Sequence, residues 1–444
     1  MTLLFVFSLF LVSLSVVLHF LNDFFAVGGF LTLSAVLFIV ASLKRFTHGR
    51  CFSAGLLALA ISSAYSSSYL WLIGGVFGLI SDAEIYDQLA RDIADTVPLR
   101  SQINPLDMEY VYDLGNAYGD INQPGFYKIL GILYTFADIF FISSVSIQVP
   151  LIVNIASYAI IGYFLYRLIE NVAAPRQIVW VLWLAFILTP YFLEQLVWLR
   201  KDLFTLAVTL LAVDAIYRRS HFFLVAFYII LLATLRLPQA ALVIVLYLIY
   251  EVRVRNLLLG RIFNVNGILL ILMIFTLAFV AHAYLPELEI APESLAALLY
   301  DLPYNIGATS TLLSNVFGVA IYAIIYPPPN LFPQDFTSMA HTFFAYLHLL
   351  FLAAVIYDLR NMQHYAPFEY AVAITFLCSL AGFTITAIMS WKYLGFVVIE
   401  PRYKLFTTVL LLALVARLLW LKTSMKRANH LLCTRIPNPC CTSP

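Results

Sequence analysis

Five carboxylates and a tyrosine fall within ISDAEIYDQLARDIAD, residues 80–95, directly after a long apolar run. Asp82 stands where that run ends. An acid at the edge of a low-dielectric cavity can act as a general base toward an acceptor hydroxyl, and Glu84 is the second candidate for that role. Each also has a structural reading. Ser81 and Glu84 fit an S-x-x-E capping box, and Asp82 in a first helical turn complements the helix dipole. Ile85, Leu89 and Ile93 recur at helical spacing, which predicts a short amphipathic helix lying on a membrane surface.

Positive charge collects in three other places. In LTPYFLEQLVWLRKDLFTLAV, residues 188–208, Arg200 and Lys201 interrupt an apolar run. Arg236 in ATLRLPQAAL ends another run just ahead of Pro238, and Arg402 and Lys404 in IEPRYKLF precede the last one. An arginine fork and a lysine point charge suit the oxygens of a lipid-linked phosphate or diphosphate. The plain alternatives are ion pairs with Glu194, Asp202 or Glu400, and snorkelling of Arg236 to headgroups. Asp214 lies inside an apolar run, so it should face the bundle, near Arg218 one turn on. His282, His341, His348 and His364 share no metal-ligand spacing, and no metal is assigned from them. YPPPNLFPQDF, residues 326–336, is either a surface turn or a lid or docking groove for a lipid carrier. No G-x-S-x-G, Walker A or Cys–His nucleophile pattern is present, which argues against a hydrolase or an ATP-driven pump.

The elements that must position these groups follow from composition. The 444 residues are 63% hydrophobic and 11% charged, with a mean hydropathy of +0.92, against about 25% charged residues in a soluble domain. The fold class expected is all-α, a polytopic integral membrane protein. Apolar runs near 3–21, 25–43, 55–80, 149–168, 178–197, 203–217, 221–236, 239–252, 266–286, 338–357, 367–388 and 404–421 predict twelve spans, because each can satisfy its own backbone in lipid only as a helix. Two further stretches, 124–142 and 311–326, are expected to lie along the surface. With that choice KRFTHGR (44–50), Arg167 with Arg176, Arg218 with Arg219, Arg253, Arg255, Arg261, Arg360 and the tail Lys422, Lys426 and Arg427 all fall on the cytoplasmic face, with both termini. The outer face receives residues 81–148, 287–337 and 389–403; the first of these holds nine carboxylates and two arginines between 81 and 123. Residues 1–50 read as an N-terminal pair of helices, retained rather than cleaved, 51–421 as the catalytic membrane domain and 422–444 as a cytoplasmic tail. Cys51, Cys378, Cys433, Cys440 and Cys441 suggest neither a disulfide framework nor a metal site, and the last pair reads as idle or lipid-modified. No basic stripe stands clear of the membrane flanks, so nucleic acid is not an expected partner.

The order of these features resembles the bacterial GT-C class of membrane glycosyltransferases, which use polyprenyl-phosphate-linked sugars in surface polysaccharide assembly. The matching elements are D-x-E-x-Y (Asp82, Glu84, Tyr86) opening the first outer loop, NQPGFYKILGILYTF, TPYFLEQLVWLRKDLF, LRLPQA, YPPPNLFPQ and EPRYKL, over most of residues 55–421. The chain departs from better-known members in two additional leading spans, in the absence of a large C-terminal soluble domain and in having DAE where many relatives carry an adjacent acidic pair. The resemblance implies Asp82, with Glu84 behind it, as the base. Arg200, Lys201, Arg236, Arg402 and Lys404 would hold the donor phosphate, and Tyr86, Gln123 and Tyr403 would contact substrate. It also implies a bacterial inner-membrane enzyme taking a polyprenyl-phosphate-linked sugar and a glycan or lipid-linked acceptor. No cofactor is required and a divalent metal, Mg or Mn, is optional. An O-antigen-type polymerase and a flippase of lipid-linked sugars are the alternatives. A carrier needs polar residues through the midplane of several spans, whereas here polar residues crowd one face.

Overall fold

The computed structural model of the chain describes residues 49–72, 82–104, 110, 113, 124–140, 148–172, 176–197, 201–254, 324, 336–394 and 405–435; at several helix ends, Asp82 and Glu84 included, the description covers backbone only. Among the described residues all regular structure is helical. In chain order the helices are α1 (Gly49–Leu72), α2 (Asp82–Thr96), α3 (Leu99–Ile103), α4 (Pro124–Phe140), α5 (Gln148–Asn171), α6 (Arg176–Ile187), α7 (Pro190–Glu194), α8 (Lys201–Tyr217), α9 (Phe222–Leu235), α10 (Leu237–Val254), α11 (Phe336–Asp358), α12 (Pro367–Leu394) and α13 (Leu405–Arg435), with a 3₁₀ turn at Leu359–His364. Proline opens α4, α7 and α12, where its missing N–H would have had no intrahelical partner.

Among the described residues three helical stretches are long and apolar enough to cross a membrane: Leu237–Val254, Thr342–His364 and Pro367–Ile385. Gln177–Ile187, Phe222–Leu235 and Leu405–Leu421 are apolar but shorter. Of the twelve expected spans, 3–21, 25–43 and 266–286 lie outside the described residues, as does nearly all of the stretch 311–326; the other nine overlap helices. One differs in shape. The run 178–197 is not a single helix: α6 ends at Ile187, Thr189 is extended at φ −62°, ψ 128°, and Pro190 starts the five-residue α7. Pro190 disfavours helical backbone at the residue before it, and this outweighs the apolar continuity of the run.

The chain divides into two compact units, Met1–Arg167 with Ala185–Tyr247, and Leu168–Leu184 with Leu248–Pro444. In the first, α2 lies on α4, α4 crosses α9, and α8 lies beside α9. Of the stripe predicted on α2, Leu89 and Ile93 are fully buried, together with Ala90 and nearly all of Tyr86, while Gln88 is exposed; the side chain of Ile85 lies outside the description. That face is covered by α4 itself. Gly131 makes the approach, since a Cβ there would stand 2.5 Å from Ile93 Cγ2, and Gly125 does the same against Thr234 of α9, with 2.3 Å to its Oγ1. At the far end of α8, Asp214 accepts from Arg167 and Arg218, each at 3.0 Å, the pairing with Arg218 expected from spacing plus a second arginine from α5.

The second unit holds a buried ionic knot. Arg417 on α13 donates to Asp358 at 2.5 Å and to Glu369 at 2.8 Å, and its guanidinium lies 3.4 Å over the ring of Tyr365. Tyr365 in turn donates its hydroxyl to Asp358 at 2.7 Å. A charge in an apolar surrounding is stable only when paired, so this knot fixes where α11 ends and α12 begins against α13.

Candidate functional site

The first unit gathers the starts of α2, α4 and α8 and the junction of α9 with α10. Lys201, the first residue of α8, is 9% exposed, and its Nζ lies 5.4 Å from the centre of the Tyr86 ring on α2. Tyr86 meets Phe126 edge-on at 5.7 Å and Tyr127 at 5.4 Å, both in the first turn of α4, and Phe126 reaches Phe204 of α8 at 6.4 Å. An ammonium over an aromatic face gains electrostatic attraction from the ring quadrupole, which helps offset the burial of the lysine. Beside it Asp202, 3% exposed, accepts from Arg236 Nη1 at 2.5 Å. Arg236 follows α9 in extended backbone at φ −162°, ψ 98°, and its carbonyl accepts from the N–H groups of Gln239 and Ala240 at the start of α10. The two-helix junction is therefore tied to the first turn of α8 through one ion pair.

Several expected site residues are thus adjacent: Tyr86 with Lys201, and Arg236 with the neighbour of Lys201. The pairing of Arg236 with Asp202 is the plain ion pair anticipated as its alternative. It holds the guanidinium in place. Lys201 and Arg236 thus stand on either side of Asp202, at the N-terminus of α8, which carries its own partial positive charge. Tyr86 is 4% exposed, so its role there is packing under Lys201, and a sugar stacked on it would have to displace an aromatic neighbour. Asp82 is the first residue of α2 and Glu84 lies in its first turn, one turn or less from Tyr86. Arg200, Gln123, Arg402, Tyr403 and Lys404 lie outside the described residues.

Three polar side chains of this region carry contacts that local spacing announces only in part. Asp87, next to Tyr86, accepts from Arg91 Nε at 2.8 Å and from the Tyr134 hydroxyl, with the Arg91 guanidinium 4.8 Å over the Tyr134 ring. Burial, and then the hydrogen bond to Asp87, hold Tyr134 well above the ordinary tyrosine range. The i, i+4 spacing of Asp87 and Arg91 was the available signal; Tyr134 stands 47 residues away. Lys128 on α4 is buried, donates to the Asn104 carbonyl at the end of α3 and lies 5.4 Å from the Tyr110 ring. Gln102 on α3 donates to the carbonyls of Ile93 and Val97 and accepts from Thr135, closing α3 onto α2 and α4. Among the described residues no three His, Cys, Asp or Glu side chains gather in a way that could hold a metal ion.

No protein-family model, curated protein or solved structure matches the chain.

Proposed function

We propose that the chain is a membrane glycosyltransferase with about twelve spans in the bacterial inner membrane, moving a sugar from a polyprenyl-phosphate donor to a glycan or lipid-linked acceptor at the outer face. The observation that carries this reading is the polarity of α8. Its first turn holds Lys201 beside Tyr86 and Asp202 beside Arg236, while its last turn sits in the Arg167–Asp214–Arg218 cluster. Seventeen helical residues at 1.5 Å each make α8 about 25 Å long, and its ionic groups, Asp202 and Asp214, stand about 18 Å apart along it, toward the two edges of a ~30 Å hydrocarbon layer. One end is then the arginine-bearing cytoplasmic side, and the other is an outer site where cations are otherwise disfavoured.

At that outer site the donor phosphate would lie against Lys201 and Arg236; Arg200, Arg402 and Lys404, expected from the sequence to hold it too, lie outside the described residues. An acceptor hydroxyl, giving its proton to Asp82 or Glu84, attacks the anomeric carbon. The bond from that carbon to the lipid phosphate oxygen breaks in one inverting displacement, and the phosphate leaves into fixed positive charge. Such preorganised charge is usually the largest contribution to the rate. In proteoliposomes supplied with a polyprenyl-phosphate-linked hexose and a lipid-linked acceptor, Asp82→Asn is expected to abolish transfer with expression intact, and Lys201→Ala to weaken donor binding. Wild-type turnover in Asp82→Asn removes that residue from the site. Movement of the labelled donor between leaflets without any acceptor, in the absence of transfer, would replace the enzyme with a flippase, and a ladder of repeat units would replace single transfer with polymerisation.

A further inference from the structure

Helix α8 ends in a Schellman turn that carries arginine where glycine is usual. The Ser220 N–H donates to the Ala215 carbonyl at 2.9 Å and the Arg219 N–H to the Ile216 carbonyl at 3.0 Å, so Arg219 is the residue just past the helix. Its φ is 53°, the one positive φ of a non-glycine residue among the described residues. Glycine adopts this backbone without steric cost, and arginine does not. The chain accepts that cost and keeps two adjacent cations, Arg218 and Arg219, at the turn.

Arg218 shares Asp214 with Arg167 of α5. Each guanidinium meets the carboxylate through its Nε at 3.0 Å, Arg167 at Oδ1 and Arg218 at Oδ2. Arg218, one turn on, would suffice to neutralise Asp214, yet two cations face the one carboxylate. The C-terminus of α8 returns only about half an elementary charge, so within this group positive charge stays in excess. Arg167 shows the consequence. Its Nη1 is buried and has no hydrogen-bond partner, a costly state for a charged donor. The Arg218 side chain is 43% exposed, so the group opens to the surface there.

The chain turns apolar directly afterwards. Phe222 and Phe223, the first residues of α9, are 61% and 84% exposed and meet edge-on at 6.2 Å. Exposed rings beside a cationic turn fit the boundary of a bilayer, with the rings among acyl chains and the cations among headgroups.

We propose that Arg167, Arg218 and the Arg219 turn bind the phosphate of an anionic membrane phospholipid, in the leaflet at the arginine-bearing end of α8. Asp214 takes the Nε of Arg167 and of Arg218, and their Nη groups remain to donate to phosphate oxygens, which a guanidinium fork matches in pairs. One phosphate charge balances the excess and gives Arg167 an acceptor for the donor that Asp214 leaves unmatched. A zwitterionic lipid brings no such net charge. The inference goes beyond the transferase reading and does not depend on it, since Lys201 and Tyr86 belong to the opposite end of α8.

The test reconstitutes the full chain in phosphatidylcholine nanodiscs with and without phosphatidylglycerol, reads the thermal midpoint, and counts bound lipid by native mass spectrometry. The wild type should retain phosphatidylglycerol over phosphatidylcholine and gain midpoint as its share rises. Arg218→Gln should weaken that retention about fivefold, the contribution of one cation at a membrane surface. Arg219→Gly relaxes the turn, so in pure phosphatidylcholine it should melt no lower than the wild type, yet gain less from phosphatidylglycerol. A purely structural cluster predicts that Arg218→Gln loses the same midpoint in both bilayers and that Arg219→Gly responds to phosphatidylglycerol as the wild type does; either result overturns the proposal. So does a wild type that does not distinguish the two lipids. Inorganic phosphate added to phosphatidylcholine nanodiscs should leave the midpoint unchanged, and stabilisation by it equal to that of the lipid would give the arginines to a soluble phosphate instead.

Discussion

The pair between Arg236 and Asp202 can be tested by a double-mutant cycle of Asp202→Ala and Arg236→Ala. Its side chains are 14% and 3% exposed at an N–O distance of 2.5 Å, which places it among buried rather than surface ion pairs. A surface pair contributes about 0–1 kcal/mol, whereas removing one partner of a buried pair costs about 3–5 kcal/mol because the other charge is stranded. Arg236→Ala strands Asp202, the more buried of the two. That carboxylate lies in the first turn of α8, where the helix dipole returns about 0.3–1 kcal/mol, so a net loss of about 2–4 kcal/mol is expected. Asp202→Ala strands an arginine that can extend toward headgroups, and should cost about 1–2 kcal/mol. Since the double variant strands nothing, its loss should fall short of the sum by about 2 kcal/mol. Reversible unfolding in mixed detergent–lipid micelles measures all four corners. Coupling below about 0.5 kcal/mol, the level at which independent sites add, would mean the pair does not form and would release Arg236 from Asp202.

Gly125→Ala should push α4 away from α9, because its Cβ would stand 2.3 Å from Thr234 Oγ1 and 2.7 Å from Thr234 Cβ; a loss of about 1–3 kcal/mol is expected, and an unchanged midpoint refutes the contact. Adding Thr234→Ala should recover part of it only, since the Cβ at 234 remains. Arg417→Ala leaves Asp358 and Glu369 facing each other without their cation and should cost about 3–5 kcal/mol. Arg417→Lys should not rescue it, because one ammonium cannot serve two carboxylates and lie flat on Tyr365; rescue by lysine would show that charge alone matters. Tyr134 and Tyr365 are both held above the ordinary tyrosine value of 10.0, by burial first and then by their bonds to Asp87 and Asp358. A raised value means the folded chain keeps protons that the unfolded chain releases, so this stability is whole below pH 10 and falls as pH rises beyond it. Near-ultraviolet phenolate titration should show late-ionising tyrosines, and Tyr134→Phe should flatten the alkaline limb of stability; phenolate formation by every tyrosine near pH 10 would contradict both bonds.

Local pattern and long-range pairing were unequally legible. The start of α2 at Asp82, the burial of Leu89 and Ile93, the separate helix opening at Pro124 and the Asp214–Arg218 pair all follow from spacings of a few residues, which the sequence displays directly. The break at Thr189–Pro190 was also visible as a proline, but the apolar run around it made one span the simpler reading. Arg417 was concealed differently. It stands inside an apolar run with its partners 48 and 59 residues away, and no local spacing announces a cation that two distant carboxylates will neutralise. Asp87 and Tyr134 share that difficulty.

The placement of charge bears on the choice between enzyme and carrier more than any single residue does. A carrier must expose polar groups to its substrate all along a path, while an enzyme working at one surface needs them at one depth. In the first unit α8 has ionic groups in its first and last turns, and the residues from Leu203 to Val213 between them include only threonines as polar members, Thr205 and Thr209, which return their hydroxyls to Lys201 and Thr205 at 2.8 and 2.7 Å. Those threonines are satisfied within their own helix and offer nothing to a passing solute. Along α8, then, nothing between its two ionic ends is offered to a solute in transit, which is what the proposed transferase requires and a carrier path along this helix would not.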